Sequence, residues 1–544
     1  AAAGNSGVSM PGWDTVSGVA PKARLAIYKV YWCSTRTYDI RASETDVFAA
    51  VDRAVADGVD VLTLSLDDSS HREIMGDGKG TGAYFDDVPF LGALAAGVTV
   101  VLAVGNGGEA KFHYMYGTLV GIGNFAPFYI SVGARQGKVR ACLFYALQLC
   151  AALLFPPLFL PLNHAFSHAP FPRLASLPRL ASLPRLASLP RLASLPRLAS
   201  LPRLASPAAL LMLTHTFHAS PCTAAAAAAA AAAVESPANT TGPAASTLLG
   251  TPLPATISPA ADTALPIVPT WSSTGPLTKP GCSLCRPLKL LRRANAIVKP
   301  DVIAPGASIL AAEPGHKVGE TGKFRVYDED TAISAALVAG VAALIIQQHP
   351  DWTPAQVMSA MMTTAGRTDS SNRVIRNVNG EPATPWQMGA GHVFPARALD
   401  PGLTYDAGEQ DFRNFLAGLN MKLARRVFGP VQLTPVAPRH LNRPSISLVN
   451  IITKLTARRT VTSVSNTTST YRVRVNAPEA VRVRVVPSQF TIAPGQRVSF
   501  KVKVVVRSKF KRFKYGSLTW EDDKGHSVRS VLVLHCKRTC MYYC

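Results

Sequence analysis

YDEDTAISAALVAGVAALIIQQHPDWTPAQVMSAMMTTA, residues 327–365, passes from three acids, Asp328, Glu329 and Asp330, into a long apolar run. The pattern predicts a helix that begins near residue 331 and continues through VAALIIQQHP (341–350). A second helix is predicted over 353–365. Thr353 stands as its cap, Pro354 at its first position and Gln356 three residues beyond the cap, where a side chain can answer the cap in return. The mouth of the first helix, with an acid at its edge, is the place where something could be held. Whether chemistry happens there depends on what else the fold brings to it.

Upstream, residues 1–134 read as α/β. LAIYKVYW (25–32), VDVLTLSL (59–66) and GVTVVLAVGN (97–106) are apolar, β-branched runs suited to a parallel sheet covered on both faces. Between them, 43–58 carries a helical stripe of Val47, Ala50, Val51, Ala54 and Val55, with Ser43 as cap and Gly58 as stop. A further helix is expected over 84–97. Alternating strands and helices imply right-handed crossovers.

Residues 135–270 break this pattern and read as a low-complexity insert. PRLASL occurs five times from Pro172 to Leu201, and ten alanines follow at 224–233. A proline every sixth residue denies the interior of helix and sheet alike. ACLFYALQLCAALLFPPLFL (141–160) is apolar, but Pro156 and Pro157 interrupt it before about 17 residues have accumulated, so a buried or non-native segment is expected rather than a membrane span. Residues 271–420 resume globular character. A further domain is placed at 421–535, and residues 441–535 of it turn all-β, with YRVRV (471–475), VRVRV (481–485) and FKVKV (500–504) alternating apolar and basic side chains, as a half-buried antiparallel sheet does. Residues 536–544 form a Cys-containing tail.

The 544 residues carry a formal charge of +23. Seven of the cations lie within 501–514, largely on the wet face of such strands, and no nucleic-acid motif accompanies them. A soluble basic sandwich is the reading, with no nucleic-acid partner. Nine Cys in so long a chain are no disulfide scaffold. Cys282 and Cys285 lack a second metal-binding pair nearby, and His535 with the last three Cys makes only a weak set, so no metal or other cofactor is expected. The chain starts at Ala1, without Met and without a signal-peptide pattern.

GVAPKARLAIYKV (18–30), VGNGG (104–108), WSSTGP (271–276), VKPDVIAPGASILAA (298–312) and HPDWTPAQVMSAMMTTA (349–365) together resemble the plant subtilisin-like serine proteases. LNRPSI (441–446) and YGSLTWEDDKGHSVRS (515–530) resemble their C-terminal fibronectin-III-like domain. The resemblance follows the family's order over about three quarters of the chain, with 140–270 outside it. It implies a subtilisin-like parallel-sheet domain, interrupted by the low-complexity segment and followed by a fibronectin-III-like β-sandwich. It also implies serine-type endopeptidase chemistry on a peptide or protein ligand, and an extracellular or cell-wall location. Asn239 and Asn466, each followed by Thr-Thr, are acceptor patterns for glycosylation that fit such a location.

Such an enzyme needs a nucleophilic Ser, a His base, an orienting Asp and an oxyanion donor. The family's Asp and His motifs would fall ahead of Ala1. Its GTSMSCPHVSG motif aligns with DTAISAALVAG (330–340), which places Ala332 in the nucleophile slot and Asp330 in place of a turn glycine. Ala332 has no oxygen to acylate. Ser334, two residues on, is rotated by about 200° around the helix. Asp330 adds a carboxylate where a negative oxyanion would develop. Asn106 resembles the oxyanion-hole asparagine. Ser65, Leu66 and Asp67 correspond to a peptide-binding strand edge, Ala103, Val104 and Gly105 to one wall of the pocket, and Thr274 replaces the Arg of the family's SSRGP. The resemblance therefore points to an endopeptidase by descent that is inactive as written. Two further readings stand beside it: a peptide- or protein-binding pseudoprotease, and the product of a degenerate locus.

Overall fold

The computed structural model describes residues 17–33, 40–65, 87–108, 111–113, 118–120, 124–136, 209–213, 266–276, 297–313, 323–327, 329–368 and 372–536. The PRLASL repeats, the stretch 141–160, Asn239, Cys282, Cys285, Cys540 and Cys544 lie outside these residues.

A six-stranded parallel sheet organises the first domain. Its strands are β1 (Arg24–Ala26), β2 (Val61–Leu64), β3 (Thr99–Ala103), β4 (Ile130–Arg135), β5 (Ala209–Leu213) and β6 (Val302–Pro305), in the spatial order β1-β5-β2-β3-β4-β6. Every pairing is parallel. The side chains of β2 and β3 are buried throughout, as a sheet covered on both faces requires.

Two of these strands depart from the sequence reading. The long apolar run at 25–32 yields only Arg24–Ala26 in the sheet; this is the edge, and its ladder with β5 stops at Ala26 opposite Leu211 while β5 runs on to Leu213 against β2. Tyr31–Cys33 instead forms a short antiparallel hairpin with Ile40–Ala42. The second departure is β5, which comes from the segment set apart as an insert and pairs between β1 and β2. Its sequence, ALLML, is a short apolar run of the kind a central parallel strand accepts.

The helices follow the sequence closely. Helix α1 (Glu44–Ala56) is capped by Ser43, whose hydroxyl accepts from the Asp46 amide at 3.1 Å, and it buries Val47, Ala50, Val51 and Ala54. Helix α2 (Val88–Ala95) packs beside it. Helix α3 (Thr331–Gln348) lies across the sheet on β2, β3, β4 and β6. It is apolar on nearly every side because it is enclosed on nearly every side. Among the described residues it is the one helix long and apolar enough to cross a membrane, and it is instead the core helix of this domain. Helix α4 (Pro354–Thr364) opens with the Thr353–Gln356 capping box that the sequence announced.

The second domain is a β-sandwich. One sheet has the order β7 (Leu403–Tyr405), β9 (Lys454–Ser463), β13 (Arg497–Val506), β11 (Val481–Val486). The other has the order β8 (Ile446–Ile451), β15 (Ser527–Cys536), β14 (Lys514–Glu521), β10 (Ser469–Asn476), β12 (Gln489–Ile492). Trp520, Tyr471, Phe500 and Tyr405 fill the space between the sheets. The boundary differs from the one placed at 420/421. Strand β7, from before it, belongs to the sandwich. Helix α6 (Met421–Phe428), from after it, packs with α5 (Glu409–Leu419) against the core of the α/β domain.

A buried ionic cluster fastens the two domains. Asp301, at the foot of β6, receives Lys299 Nζ at 2.6 Å on one oxygen and the Arg443 guanidinium on the other. The Ser131 amide also donates to Asp301, at 2.9 Å, and Lys299 gives a further bond to the Tyr129 carbonyl at 2.9 Å. Arg443 belongs to the strand-entry loop of the sandwich and also reaches the Pro127 carbonyl. All three charged side chains are almost wholly excluded from water. Burial is the largest influence on Lys299 and pulls its ammonium down to about 7, against the attraction of Asp301.

Candidate functional site

The site forms at the C-terminal ends of β3 and β6, where the sheet meets the mouth of α3. Beyond Ala103 the chain turns through Gly105, whose φ of 101° is open to glycine and strained for other residues. The turn is held from a distant part of the sequence. The Ser273 amide donates to the Gly105 carbonyl at 2.9 Å, the Gly107 amide to Ser273 Oγ at 3.0 Å, and the Gly108 amide to the Trp271 carbonyl at 2.9 Å. The stretches VGNGG and WSSTGP, separated by the whole insert, thus make one structure. Thr274 is buried in it. Asn106 is left at the exposed tip.

The opposite side is built by β6. Its carbonyls at Ala304 and Pro305 both accept from the buried Ser334 hydroxyl, at 3.1 and 3.0 Å. The Asp330 amide donates to the Gly306 carbonyl at 2.9 Å. Residue 306 is a glycine because of this close approach: a Cβ there would stand 2.4 Å from Ser334 Oγ and 2.9 Å from the Asp330 carbonyl oxygen. Pinned this way, the chain enters α3 at Thr331.

Three hydrogen bonds join the two sides, and a fourth, within the mouth of α3, ends on one of the same oxygens. Asn106 Nδ2 donates to Asp330 Oδ1 at 3.1 Å, and the Ala332 amide donates to the same oxygen at 2.8 Å. The Thr331 amide and its Oγ1 both donate to Asn106 Oδ1, at 3.0 and 2.9 Å. The last pair decides which way the Asn106 amide faces, since its oxygen must take the two Thr331 donors and its NH2 must point at Asp330. A side-chain amide and the first-turn N–H of a helix therefore converge on one anionic oxygen at 2.8–3.1 Å. That is the donor geometry required of a site that stabilises an oxyanion. The oxygen found there belongs to the chain itself. The helix N-terminus favours it, because the macrodipole and the unpaired amides of the first turn both attract negative charge.

Ala332 sits beside this pair and presents a methyl group, 8 % exposed. Ser334 faces the sheet, away from the two donors, as the helical rotation predicted. Among the described residues, the hydrogen bonds at 330–332 run to Asn106, to Gly306 and within the turn, and none involves an imidazole.

The other expected residues fall out as follows. Ser65 lies at the end of β2, half buried. Leu66 and Asp67 lie outside the described residues. Ala103 and Val104 turn their side chains into the two apolar clusters on either face of the sheet. A ligand passing there would meet backbone, and the Gly105 carbonyl is already engaged by Ser273. Sequence reasoning singled out Asp330 for its charge. It did not find Thr331, which orients Asn106, or Ser273, which braces the turn; a lone Thr or Ser next to a helix start or a turn carries no distinguishing pattern. Among the described residues no cluster of His, Cys, Asp and Glu is arranged to hold a metal ion.

Comparison with known proteins finds relatives for the chain. The subtilase family matches residues 1–391, a range that includes the insert, and the fibronectin type-III domain matches residues 440–534. Subtilisin-like protease SBT5.3 of Arabidopsis thaliana is 30% identical over 575 aligned positions, covering 96% of this chain and 68% of the relative. Subtilisin-like protease SBT1.6 of the same plant is 30% identical, covering 97% and 70%. Subtilisin-like protease SBT1.3 is 30% identical, covering 96% and 67%.

Proposed function

This chain belongs to the subtilase family, and on that premise we propose that it keeps the fold and the peptide-facing end of the sheet but does not hydrolyse peptides through a serine nucleophile. One observation carries the reading: a carboxylate oxygen of Asp330 accepts from both Asn106 Nδ2 and the Ala332 amide. In acyl transfer those two donors would hold the oxygen of a tetrahedral intermediate. Here they are both taken up by a carboxylate oxygen of the chain itself, which a developing oxyanion would have to displace. The alignment that assigns Ala332 to the nucleophile slot adds the second loss, because a methyl group cannot form an acyl-enzyme.

What remains is a non-hydrolytic subtilase that holds peptide or protein segments at the sheet end bounded by Ser65 and the 105–108 turn. Turnover of a fluorogenic peptide library by the purified chain tests this. The expected rate is that of buffer. Turnover that disappears on replacing Asn106 with Ala would refute the reading and restore the endopeptidase assignment.

An extracellular location is part of the same proposal. Asn466 of the Asn-Thr-Thr acceptor lies exposed in the turn between β9 and β10, reachable by a glycosyltransferase. Endogenous protein should lose mass at the Asn466 peptide on treatment with an N-glycan-releasing enzyme. An unmodified Asn466 on cytosolic protein would count against it.

A further inference from the structure

The outer face of the sandwich sheet formed by β9, β13 and β11 carries seven exposed cations: Lys454, Arg458, Lys501, Lys503, Arg482 and Arg484, and at one end Arg497, which pairs with Asp406 at 3.1 Å. The antiparallel registers set Arg458 directly opposite Lys501, and Lys503 directly opposite Arg484. Like charges so placed destabilise a sheet. Asp406 takes up Arg497 alone, and among the described residues no acid reaches the other six. These three strands contain no acid, and Glu479 is the one acidic residue between Asp411 and Glu521, a stretch with 21 Lys and Arg. The other sheet is built differently: Arg474 pairs with Glu521 across β10 and β14, and Arg472 bonds Gln489 across β10 and β12. A surface that keeps unrelieved repulsion on one face while neutralising it on the other is charged toward something outside the chain.

We infer that this face binds an extended acidic peptide segment with Asp or Glu at alternate positions. The spacing carries the choice. Cations two apart on one strand, Lys501 and Lys503 or Arg482 and Arg484, stand about 7 Å apart, and the acids of an extended (Asp-x) repeat stand about 7 Å apart on one side of their own backbone. The patch measures about 14 Å along the strands and about 10 Å across them, a strip that such a segment covers lengthwise. Arg458, Arg482 and Arg484 can take carboxylates by paired N–H donors, and Lys501 and Lys503 supply point charges. The chemistry fits nucleic acid less well. The face has no aromatic side chain on which a base could stack, and it is a flat sheet surface with no element projecting into a groove. It fits a bilayer less well too, since Val486 and Val505 are the largest apolar side chains it exposes. The inference is independent of the state of the 330–332 site.

Titration of the full chain with a fluorescent (Asp-Ser)6 peptide tests it. The comparison ligands are an isomer with its six Asp in one block, a single-stranded oligonucleotide of equal charge, and anionic phosphatidylserine vesicles. The alternating peptide should bind at least fivefold more tightly than each of the three at the same ionic strength. Replacing Lys501, Lys503 and Arg484 together by Ser should weaken binding at least tenfold, with the thermal midpoint unchanged or raised because repulsion is relieved. Arg474→Ser, on the other sheet, should change binding less than twofold. Equal or tighter binding of the blocked isomer, the oligonucleotide or the vesicles would overturn the inference. So would a triple variant that binds as the parent does. Should the triple variant fall in thermal midpoint, Lys503→Glu alone gives the same reading: a loss of binding of threefold or more supports the inference, and unchanged binding overturns it.

Discussion

Replacing Asp330 with Gly and with Ala separates two things its carboxylate does. As the cap of α3 it satisfies the Ala332 amide; as an anion it occupies the Asn106 amide. Loss of a side-chain cap costs about 1 kcal/mol when Ala replaces it and a few tenths when Gly does. Urea unfolding should therefore show Asp330→Ala less stable than Asp330→Gly by roughly half a kcal/mol, and both slightly below the parent. Equal stability of all three would mean that the cap is not made. At this scale the sequence was informative about chemistry and silent about partners. The slots of Ala332 and Asp330 in the motif are the basis of the proposed loss of hydrolysis. That Asp330 reaches across to Asn106, 224 residues earlier, is a fact of packing that no local pattern records.

Elements were legible where a cap or a stripe marks them. Ser43, Thr353 and the alternation of 471–504 each name a local force, and the structure follows them. Strand β1 was read too long because edge position is not written in composition. Strand β5 was missed because five apolar residues amid proline and alanine repeats look like more of the same. The joints between elements were equally invisible, and two of them give tests. Asp301 holds two buried cations, so Asp301→Asn should cost about 3–5 kcal/mol by leaving charges uncompensated in the domain joint. Denaturant titration measures it; a loss below 1 kcal/mol would show that the cluster is not a joint.

The second test lies at the β14–β15 turn. His526 stands between Asp400, at 3.1 Å from Nε2, and Asp522, at 2.6 Å from Nδ1. The bond to Asp400, the largest cause, and then that to Asp522 raise the imidazole from 6.5 to about 9, against desolvation. A raised pKa stabilises the fold while the ring is protonated. The contribution is full below about 6.5 and is lost as pH rises through about 9. Because Asp400 is largely exposed, its size is about 1–2 kcal/mol rather than the full shift. The stability difference between the parent and His526→Gln, measured at pH 6 and pH 10, should shrink by that amount. A difference independent of pH would remove His526 from the account.

For the whole molecule, the +23 charge proved to be unevenly placed. The sequence put the seven cations of 501–514 largely on wet strand faces; Lys501, Lys503 and Lys514 are there, but Arg507, Lys509, Lys511 and Arg512 lie in the loop between β13 and β14, which the alternation of the flanking strands does not mark. Which strand lies beside which is set by the sandwich topology, and the topology brings Lys503 to face Arg484. Lys503→Glu should convert that repulsion into attraction and raise stability by about 0.2–1 kcal/mol, read from the urea midpoint. No gain would mean that the two side chains splay into solvent. Fold class was accessible from sequence because strand and helix runs alternate in register with a known family. The stretches 104–108 and 271–276, which the sequence reading assigned separately to the family on either side of the insert, meet at one sheet end.

The central claim is that the helix mouth of this subtilase is closed to acyl chemistry by its own residues. Covalent labelling with a fluorophosphonate, which marks an activated serine, tests it most directly. The purified chain, Ala332→Ser and the double variant Asp330→Gly with Ala332→Ser are treated in parallel and mapped by peptide mass spectrometry. The account expects no labelled serine in the parent and none in Ala332→Ser, where Asp330 still fills the donor pair and, among the described residues, no imidazole takes part in the hydrogen bonds at 330–332. Labelling of the parent at any serine, abolished by prior denaturation, would contradict it.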